Sequence, residues 1–508
     1  MRPTTLAPTL IVFCCSYMAM PCSAARPAQG GTAQTAATQS ASTSTEETPS
    51  DLYQVWVQER PVHVYRCRVS AIPFNQVWPG YQRPKGQTEQ SAFAGWDMAE
   101  PVQIKVVSSR PVKRITVRPL ASGIKPILED DARTFSFRLE RPAQLVVEVN
   151  DAHHALHLFA DPVDKSPCRK GDPGVLYFGP GEHEPGLITL TDNQTVYLAR
   201  GAIVHGTILA KDAAHLRVCG RGILDVSRYR REEVAGAIYF QQCRHVQVEG
   251  ITIRDSSRWT VDFDRCDGAT VDWIKLIGLW RYNSDGIDMV SSQHVHIGDC
   301  FVRSFDDNIV IKRRTGRENE DRYPSRDITA KRCVLWNDWN VAVKIGTETA
   351  GPEISDVLIQ DCHIIRATHA ALGIHAFDGA TVHDIRFQNI NMEVGEKEPL
   401  PVFQKSREQT YKPAEVLHVP RLLDLRVHAR HGKSRIEDVT LSNISLTSPQ
   451  MPTSRMVGLE APHGIDGVTF ENVTLNDKPV VNAEEAGLVT AGHVQNVRFV
   501  GSTGKERE

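Results

Sequence analysis

The segment Asp356-Val357-Leu358-Ile359 alternates polar and apolar residues, and it recurs from residue 245 to the carboxyl end. From residue 327 onward the copies start 29, 28, 54, 29 and 29 residues apart, and 54 is close to two periods. Alternation gives a strand one buried and one exposed face, and such a period is typical of one coil of a parallel β-helix. The sequence therefore predicts an all-β fold with a parallel β-helix over residues 170–508. The other copies are His245-Val246-Gln247-Val248, His294-Val295-His296-Ile297, Asp327-Ile328-Thr329-Ala330, Asp384-Ile385-Arg386-Phe387, Asp438-Val439-Thr440-Leu441, Gly467-Val468-Thr469-Phe470 and Asn496-Val497-Arg498-Phe499.

Six cysteines recur within this region at intervals of 24, 23, 34, 33 and 29 residues. Since a free cysteine packs as a small hydrophobic residue, we interpret them as one column of buried core residues rather than as disulfides. In particular, we expect Cys243, Cys300, Cys333 and Cys362 to lie in neighbouring coils. The six are Cys219, Cys243, Cys266, Cys300, Cys333 and Cys362.

A different pattern precedes the repeat. Residues 51–165 contain short alternating stretches such as Val102-Gln103-Ile104-Lys105-Val106, separated by turn signals such as Arg141-Pro142. Several short strands in just over a hundred residues predict an antiparallel β-sandwich. We interpret it as a cap on the amino end of the β-helix that shields an open edge, with carbohydrate binding as the alternative.

The amino terminus has the pattern of an export signal. Arg2 is followed by an apolar run from about Leu6 to Ala19 and by the small residues Ser23-Ala24. We therefore expect a signal peptide over residues 1–24, a disordered linker over residues 25–50 rich in Ala, Thr and Ser, and a secreted or periplasmic protein. No other stretch is apolar enough to span a bilayer.

Composition narrows the range of functions. Of the 508 residues, 41% are hydrophobic, which excludes disorder throughout the chain. A net charge of −3, from 58 Lys+Arg against 61 Asp+Glu, gives no electrostatic footprint for nucleic acid or an anionic membrane. No Cys/His cluster has zinc spacing, so we expect neither a metal nor a cofactor. The sequence does not determine the oligomeric state.

Three aspartates carry the candidate chemistry. The segment Asn283-Ser284-Asp285-Gly286 is followed by Asp306-Asp307. In a β-helix the interval from Asp285 to Asp306 is near one coil, so these carboxylates should lie on strands about 4.8 Å apart. An isolated Asp-Asp pair is usually a solvated turn, but crowded carboxylates raise at least one pKa, as a general acid beside ionised bases requires. An inverting glycosidase needs these two roles about 6.5–9.5 Å apart.

At these residues the sequence resembles glycoside hydrolase family 28, the polygalacturonases and rhamnogalacturonases, and more distantly family 49, the dextranases and isopullulanases. The resemblance rests on the two acidic motifs, on Lys312 after the pair, and on Gly220-Arg221-Gly222-Ile223-Leu224-Asp225 in an early coil. It implies a right-handed parallel β-helix and an inverting hydrolase of a polysaccharide or oligosaccharide, most consistent with a pectin-type substrate. It also implies that Asp306 is the general acid and that Asp285 and Asp307 hold and deprotonate the water.

Two motifs of the polygalacturonases are replaced. Their Gly-His-Gly one coil later corresponds to Asn340-Val341-Ala342, and their Arg-Ile-Lys, which grips the galacturonate carboxylate, corresponds to Gly373-Ile374-His375. Lys344 and His375 are the candidate substitutes, and plain polygalacturonate becomes a less favoured substrate because a bidentate clamp is lost. Rhamnogalacturonases also lack the histidine, so a pectic substrate is retained.

Further candidates for substrate binding surround the acids. They include Asn283, Lys312 and Arg281. Trp259 and Trp280 are candidate sugar platforms, because a pyranose face stacks on an indole; Trp336 and Trp339 are further candidates, although any one of the four can equally be a core residue. Glu348 is a fourth carboxylate, and residues 395–435 form a long insertion with nine Lys/Arg that can wall the cleft.

Three alternatives remain open at this point. The chain can be a family 49-like α-glucan hydrolase. It can be a polysaccharide lyase, in which the same acids and Lys312 would form a calcium site and a base. It can also be a non-catalytic glycan-binding solenoid, which would need no carboxylate cluster.

Overall fold

The fold is that of a computed structural model, which describes residues 47–71, 75–77, 85–165, 167–314, 323–395, 398–399, 402–404 and 417–501. The predicted signal peptide and nearly all of the predicted linker lie outside the described residues. Apart from two short 3-10 helices, Lys85–Gln87 and Leu120–Ser122, the regular structure of the described part is β. No helix within it is long and apolar enough to cross a membrane.

The first eleven strands form two five-stranded sheets, β2-β1-β6-β9-β8 and β3-β5-β11-β10-β7, with β4 outside them. They are β1 (Tyr53–Val57), β2 (Arg60–Val62), β3 (Tyr65–Ser70), β4 (Asn75–Val77), β5 (Thr88–Met98), β6 (Val102–Ser108), β7 (Ile115–Arg118), β8 (Ile127–Leu128), β9 (Thr134–Leu139), β10 (Ala143–Val149) and β11 (Leu156–Pro162). A core that includes Ile104, Phe135 and Leu158 lies between the sheets. The pairing is antiparallel except between β5 and β11, which run parallel, so the sandwich is not purely antiparallel.

Most of the strands that follow build the parallel β-helix. The early coils contain β12 (Val175–Phe178), β13 (Gly181–Leu190), β14 (Thr195–Leu198), β15 (Ala202–Lys211), β16 (Ala214–Gly220), β17 (Ile223–Asp225), β18 (Ile238–Gln241), β19 (Arg244–Glu249), β20 (Thr252–Arg254), β21 (Val261–Asp264), β22 (Asp267–Asp272) and β23 (Lys275–Leu279). The middle coils contain β24 (Ile287–Val290), β25 (Gln293–Gly298), β26 (Phe301–Ser304), β27 (Ile309–Arg313), β28 (Arg326–Lys331), β29 (Val334–Asn337), β30 (Val341–Thr349), β31 (Glu353–Ile354), β32 (Val357–Gln360), β33 (His363–Arg366), β34 (Ala370–Asp378), β35 (Thr381–Val382) and β36 (Ile385–Glu393). The last strands are β37 (Glu398–Pro399), β38 (Val402–Gln404), β39 (Leu417–His418), β40 (Arg421–Gly432), β41 (Arg435–Thr447), β42 (Ser454–Val457), β43 (Ile465–Leu475), β44 (Lys478–Val480), β45 (Leu488–Ala491) and β46 (Val494–Val500).

Most of these strands stack in three parallel columns. Column 1 contains β18, β21, β24, β27, β30, β34, β40, β42 and β45. Column 2 contains β16, β19, β22, β25, β28, β32, β36, β41, β43 and β46. Column 3 contains β17, β20, β23, β26, β29, β33 and the end of β36. The predicted fold class is therefore confirmed.

The repeated segment forms column 2. Val246, Val295, Ile328 and Val357 occupy equivalent positions in successive or nearby coils of this column, and all lie in the apolar core. The long interval between the copies at residues 384 and 438 is not two coils, because β36 pairs directly with β41. One coil instead carries the long insertion, part of which returns to column 1 as β40.

The cysteines are free in the described part of the chain, and all but Cys168 are buried there. The prediction that they form one column is wrong. Cys243 and Cys266 lie at the corner before column 2, and Cys219 lies within β16. Only Cys300, Cys333 and Cys362 share the corner after column 2. There the amide N–H of Cys333 donates a hydrogen bond to the sulfur of Cys362. The interval between Cys266 and Cys300 is longer than one coil, so Cys300 lies at the corner after column 2 and not at the corner before it.

The sandwich packs along the side of the β-helix, not on its amino end as the sequence analysis expected. Phe93 and Phe159 pack in one cluster with residues of column 3 that extend from early coils to Trp336 and Ile365. Within this contact the buried Lys275 binds both oxygens of Asp161 at 2.9 and 2.8 Å. The sandwich thus covers the outer face of column 3, and the candidate site lies at the corner between columns 3 and 1.

Candidate active site

The three predicted aspartates lie on adjacent coils at the corner between columns 3 and 1. The amide of Gly286 donates to the carbonyl of Asp307 at 2.8 Å, and the amide of Asp306 donates to the carbonyl of Ser284 at 3.2 Å. The coils approach so closely that a Cβ on Gly286 would come within 2.3 Å of the Asn308 carbonyl oxygen. Glycine therefore permits the stacking that brings the two acidic motifs together.

Asp285 is buried and paired with a lysine. Its Oδ2 accepts a hydrogen bond from Nζ of Lys312 at 3.1 Å, whereas its Oδ1 receives only a long contact of 3.5 Å from Asn283. Burial raises the pKa of the Asp285 carboxyl well above its usual range; Lys312 opposes this shift and three nearby carboxylates reinforce it. Asp285 can therefore hold a proton at pH values where an exposed aspartate is ionised.

Asp307 is held on both carboxylate oxygens. Oδ1 accepts from the amide of Val341 at 3.0 Å, and Oδ2 accepts from Nζ of Lys344 at 2.8 Å. Burial raises the pKa of Asp307 to about 6 and the charge of Asp306 adds to this, while Lys344 opposes it. The two donors fix the orientation of this carboxylate.

Asp306 is buried, and only one of its carboxylate oxygens has hydrogen-bond donors among the described residues. Its Oδ1 accepts from the amide of Asp307 at 3.1 Å and from Nδ2 of Asn340 at 2.9 Å. Its Oδ2 has no hydrogen-bond partner among the described residues. Asn340 belongs to the segment that replaces the Gly-His-Gly motif. Through its hydrogen bond to Asp306, this segment contacts the acidic pair.

A fourth aspartate, Asp288, lies beside the three and was not among the residues predicted from the sequence. It is fully buried, and its Oδ1 accepts from Lys312 at 2.6 Å. Asp262 pairs with Asp288 in register one coil earlier, and burial together with Asp288 raises the pKa of Asp262 to about 8. A signal was visible in the sequence, because Asp288 lies only two residues after the Asn283-Ser284-Asp285-Gly286 motif.

Trp259 is the tryptophan that joins the site. It is half-buried at the turn before β21, and Nζ of Lys312 lies 3.5 Å from its ring centroid. The guanidinium of Arg314 lies 4.5 Å from the same ring. Glu348, near these cations, has a pKa lowered to about 2: burial raises the pKa, but Lys312 and Arg314 outweigh it.

Trp280, Trp336 and Trp339 lie in packed positions. Trp280 is buried, with the guanidinium of Arg281 5.5 Å from its ring. Trp336 packs in the contact with the sandwich, and Trp339 stacks on Phe305 behind the acidic pair, with centroids 6.1 Å apart. These three support the corner and do not form an open platform.

Arg281 is engaged in contacts with the rest of the fold. Its guanidinium binds Asp255 at 3.0 Å and the carbonyls of Tyr229 and Ser227 at 2.7 and 3.0 Å. Asn283 is similarly tied, because its Oδ1 accepts from Arg231 at 2.7 Å. Both residues hold the corner loop, and their predicted contact with substrate stays a prediction.

His375 does not act as a cationic substitute for the missing clamp. Burial, with Arg426 adding to it, lowers the pKa of His375 to about 3, so the ring is neutral. Arg426 donates to its Nε2 at 2.9 Å, and Arg455 binds both oxygens of Asp424 at 2.8 Å. Together with Arg421 these form what we call the arginine cluster (Arg421, Arg426, Arg455). It could not be predicted from the sequence, because β40 reaches column 1 through the long insertion and only then pairs with β42.

Lys344 lies on column 1, and its Nζ binds Asp307 of the preceding coil. In register it is followed by Gly373, then Asp424, then Arg455, one residue per coil. Lys344 beside the acidic corner and Arg455 of the arginine cluster therefore share one register position of column 1. No group of three or more His, Cys, Asp or Glu in the described residues is arranged to hold a metal ion.

The protein is a parallel β-helix, and one of its corners carries stacked carboxylates that are paired with lysines. Paired carboxylates are the groups that glycosidases use to hydrolyse glycosidic bonds. The model of glycosyl hydrolases family 28 matches residues 227–486, and the chain belongs to this family of glycoside hydrolases. The match spans the acidic corner and the arginine cluster.

Individual relatives match over shorter stretches. The endo-polygalacturonase of Pectobacterium carotovorum subsp. carotovorum is 27% identical over 231 residues, which are 42% of this chain and 52% of that protein. The polygalacturonase of Persea americana is 23% identical over 160 residues, 31% of this chain and 32% of that protein. The chain thus spans about half the length, or less, of these curated relatives.

A solved structure matches most of the chain. Dex49A from Penicillium minioluteum superimposes with a TM-score of 0.53 at 15% identity, over 89% of this chain and 88% of that one. At this identity the likeness shows a shared fold.

Proposed function

We propose that this protein is an exported, inverting glycoside hydrolase that cleaves O-glycosidic bonds of a pectin-type polysaccharide or oligosaccharide. The observation that carries the proposal is the unequal engagement of the three carboxylates. Asp306 has one oxygen without a hydrogen-bond donor among the described residues, Asp285 has one oxygen with only a long contact, and Asp307 is held on both sides. Export rests on the sequence of residues 1–24 alone.

The oxygen without a donor favours Asp306 as the proton donor. A proton on Oδ2 of Asp306 passes to the glycosidic oxygen as the bond from that oxygen to the anomeric carbon breaks. Asp307, oriented by Lys344, and Asp285, oriented by Lys312, hold a water on the other side of the sugar. The water oxygen bonds to the anomeric carbon while its proton passes to Asp285, which inverts the configuration.

The lysines keep this arrangement operating near neutral pH. Burial favours the protonated forms of Asp285 and Asp307, but water activation requires them ionised. Each lysine donates to one of them and thereby favours the carboxylate. Because both carboxyls have raised pKa values, activity is expected to fall on the acid side as soon as either takes up a proton, and the pKa of Asp307 is about 6.

The charge around column 1 supports an acidic sugar. The arginine cluster places three guanidinium groups around one carboxylate, Asp424, while His375 is neutral. The excess positive charge attracts a uronate. Because Arg426 and Arg455 are already engaged with Asp424, their hold on a second carboxylate is weaker than that of a free clamp. A mixed pectic backbone, with fewer uronates than polygalacturonate, fits this arrangement.

Asp306→Asn tests the mechanism. We expect kcat to fall by about 10²–10⁴-fold on the natural glycan, with partial recovery on an aryl glycoside whose leaving group departs without a proton. Asp327→Asn, an exposed aspartate of column 2, is the matched control and should keep full activity. Near-normal turnover of folded Asp306→Asn would contradict the assignment.

The stereochemistry and the bond chemistry are tested on the products. Proton NMR of the first product should show the inverted anomer, and a retained anomer would contradict the proposed roles of Asp285 and Asp307. New reducing ends without the absorbance of an unsaturated sugar indicate hydrolysis. Unsaturated product that disappears with a chelator would indicate a lyase instead. For export, the mature protein should begin near residue 25 when amino-terminally sequenced.

A further inference from the structure

A second groove lies at a different corner of the β-helix. The catalytic corner joins column 3 to column 1, whereas this groove lies where column 2 turns into column 3, beside the segment that leaves the sandwich. Its volume is about 600 Å³, within the range of small-molecule sites. We call it the corner groove and define it by Lys165, Arg217, Glu249, Asp272, Trp273 and Asp299.

Trp273 is an unusual residue for its backbone position. Its φ is 54°, in the left-handed region. The equivalent positions in neighbouring coils are Gly250, Asp299 and Arg332, and later coils have Asp361 and Asn389, whose residue types adopt this conformation readily. A bulky aromatic residue in this region is an outlier, and such outliers concentrate at functional sites.

Trp273 is one of the residues that line the corner groove. Trp273 is half-buried, and its indole makes no hydrogen bond or ring contact with any described residue. The indole thus lies at the wall of the groove without a polar or aromatic partner among the described residues. An indole in this state stacks well on the apolar face of a pyranose.

Asp272 supplies an open acceptor next to the indole. It pairs in register with Gly298 of the following coil, where a Cβ would come within 2.4 Å of its Oδ1. The missing side chain of Gly298 makes room for this carboxylate, which has no side-chain hydrogen bond within the described ranges. Burial, with Asp299 and Glu249 adding to it, raises the pKa of Asp272 to about 6.

The charges of the groove are balanced. Arg217 contacts Glu249 at 3.4 Å, and Asp299 binds Arg332 at 2.6 Å. These pairs leave two further charged residues in the groove. The exposed Lys165 is a hydrogen-bond donor, and Asp272, of opposite charge, is an acceptor. Balanced charge with both a donor and an acceptor suits hydroxyl groups better than a carboxylate-bearing sugar.

We propose that the corner groove is a second glycan-binding site, which takes a neutral pyranose oligosaccharide. One sugar stacks on Trp273, its hydroxyls donate to Asp272, and Lys165 donates to a hydroxyl oxygen. The site goes beyond the proposed hydrolysis and requires no contact with the catalytic corner.

The test is binding to the full-length protein carrying Asp306→Asn, so that no probe is cleaved. Isothermal titration uses tetramers of glucose and of galactose as neutral probes and trigalacturonate as the acidic probe. At least one neutral tetramer should bind, and Trp273→Ala should weaken that binding by about tenfold. Asp272→Asn should also weaken it, while Trp56→Ala, a half-buried tryptophan of β1, should leave it unchanged.

Several outcomes would overturn the proposal. The first is that neither neutral tetramer binds. The second is that the binding of a neutral tetramer persists in Trp273→Ala. The third is that trigalacturonate binds and that Trp273→Ala abolishes this binding. Trp273→Asn, which suits the left-handed backbone, separates loss of the indole from loss of folding and should behave as Trp273→Ala does. In the otherwise unsubstituted protein, Trp273→Ala should not change kcat on a short soluble substrate. The binding result therefore stands or falls independently of the hydrolase assignment.

Discussion

Replacing Lys344 with methionine tests the proposed control of the water-binding carboxylate. Nζ of Lys344 lies 2.8 Å from Oδ2 of Asp307, and both groups are buried. A hydrogen bond to a charged group contributes about 1.5–3 kcal/mol, and 1.36 kcal/mol corresponds to one pKa unit. Without the lysine, the pKa of Asp307 should therefore rise by about one to two units from its present value of about 6.

The assay is kcat/KM as a function of pH, which reports the groups of the free enzyme. Because Asp307 must be ionised to activate water, a higher pKa means that activity is lost at a higher pH on the acid side. We expect the acid limb of Lys344→Met to move up by about one to two pH units.

Two control variants accompany this measurement. Lys344→Arg keeps the charge and should shift the limb little. Lys478→Met, in the exposed strand β44, should not shift it at all. An unmoved acid limb in Lys344→Met, with the protein shown to be folded by thermal unfolding at each pH, would refute the reasoning.

Three further predictions follow from the same contacts. Asp262→Asn should stabilise the fold at pH 7 by up to about 4 kcal/mol, since burial raises the pKa of Asp262 to about 8. A carboxyl whose pKa is raised in the folded protein contributes its full stability only below its unfolded pKa. That contribution is lost as the pH rises toward the folded pKa. The difference in the free energy of unfolding between the two proteins should vanish near pH 4, and a constant difference would contradict the cause. Polygalacturonate should be cut more slowly than a mixed pectic backbone, and Arg455→Gln should lower kcat/KM for both; efficient cleavage of polygalacturonate would show that the arginine cluster rebuilds the clamp. Apart from the cysteines of residues 1–24, Cys168 should be the first thiol to react with a thiol reagent in the folded protein, and Cys168→Ser should abolish that fast phase; rapid reaction of Cys333 would contradict its burial.

The sequence by itself determined the solenoid. A strand with one buried face must repeat its apolar positions wherever a coil recurs, so Val246, Val295 and Val357 identify column 2 without any tertiary information. It also determined that Asp285 would stack on the acidic pair, because the interval from Asp285 to Asp306 returns a β-helical chain to the same corner. Local spacing carries this information, since each coil contacts only its neighbours.

Only the tertiary structure decided how side chains from different coils meet. The neutral state of His375 depends on its burial beside Arg426, which lies 51 residues away in a strand reached through an insertion of irregular length. The side-on packing of the sandwich depends on Phe159 and Trp336, and nothing local to either residue specifies the other. The open corner at Trp273 likewise depends on the stacking of coils, because desolvation and charge balance are properties of the assembled surface, not of a segment of chain.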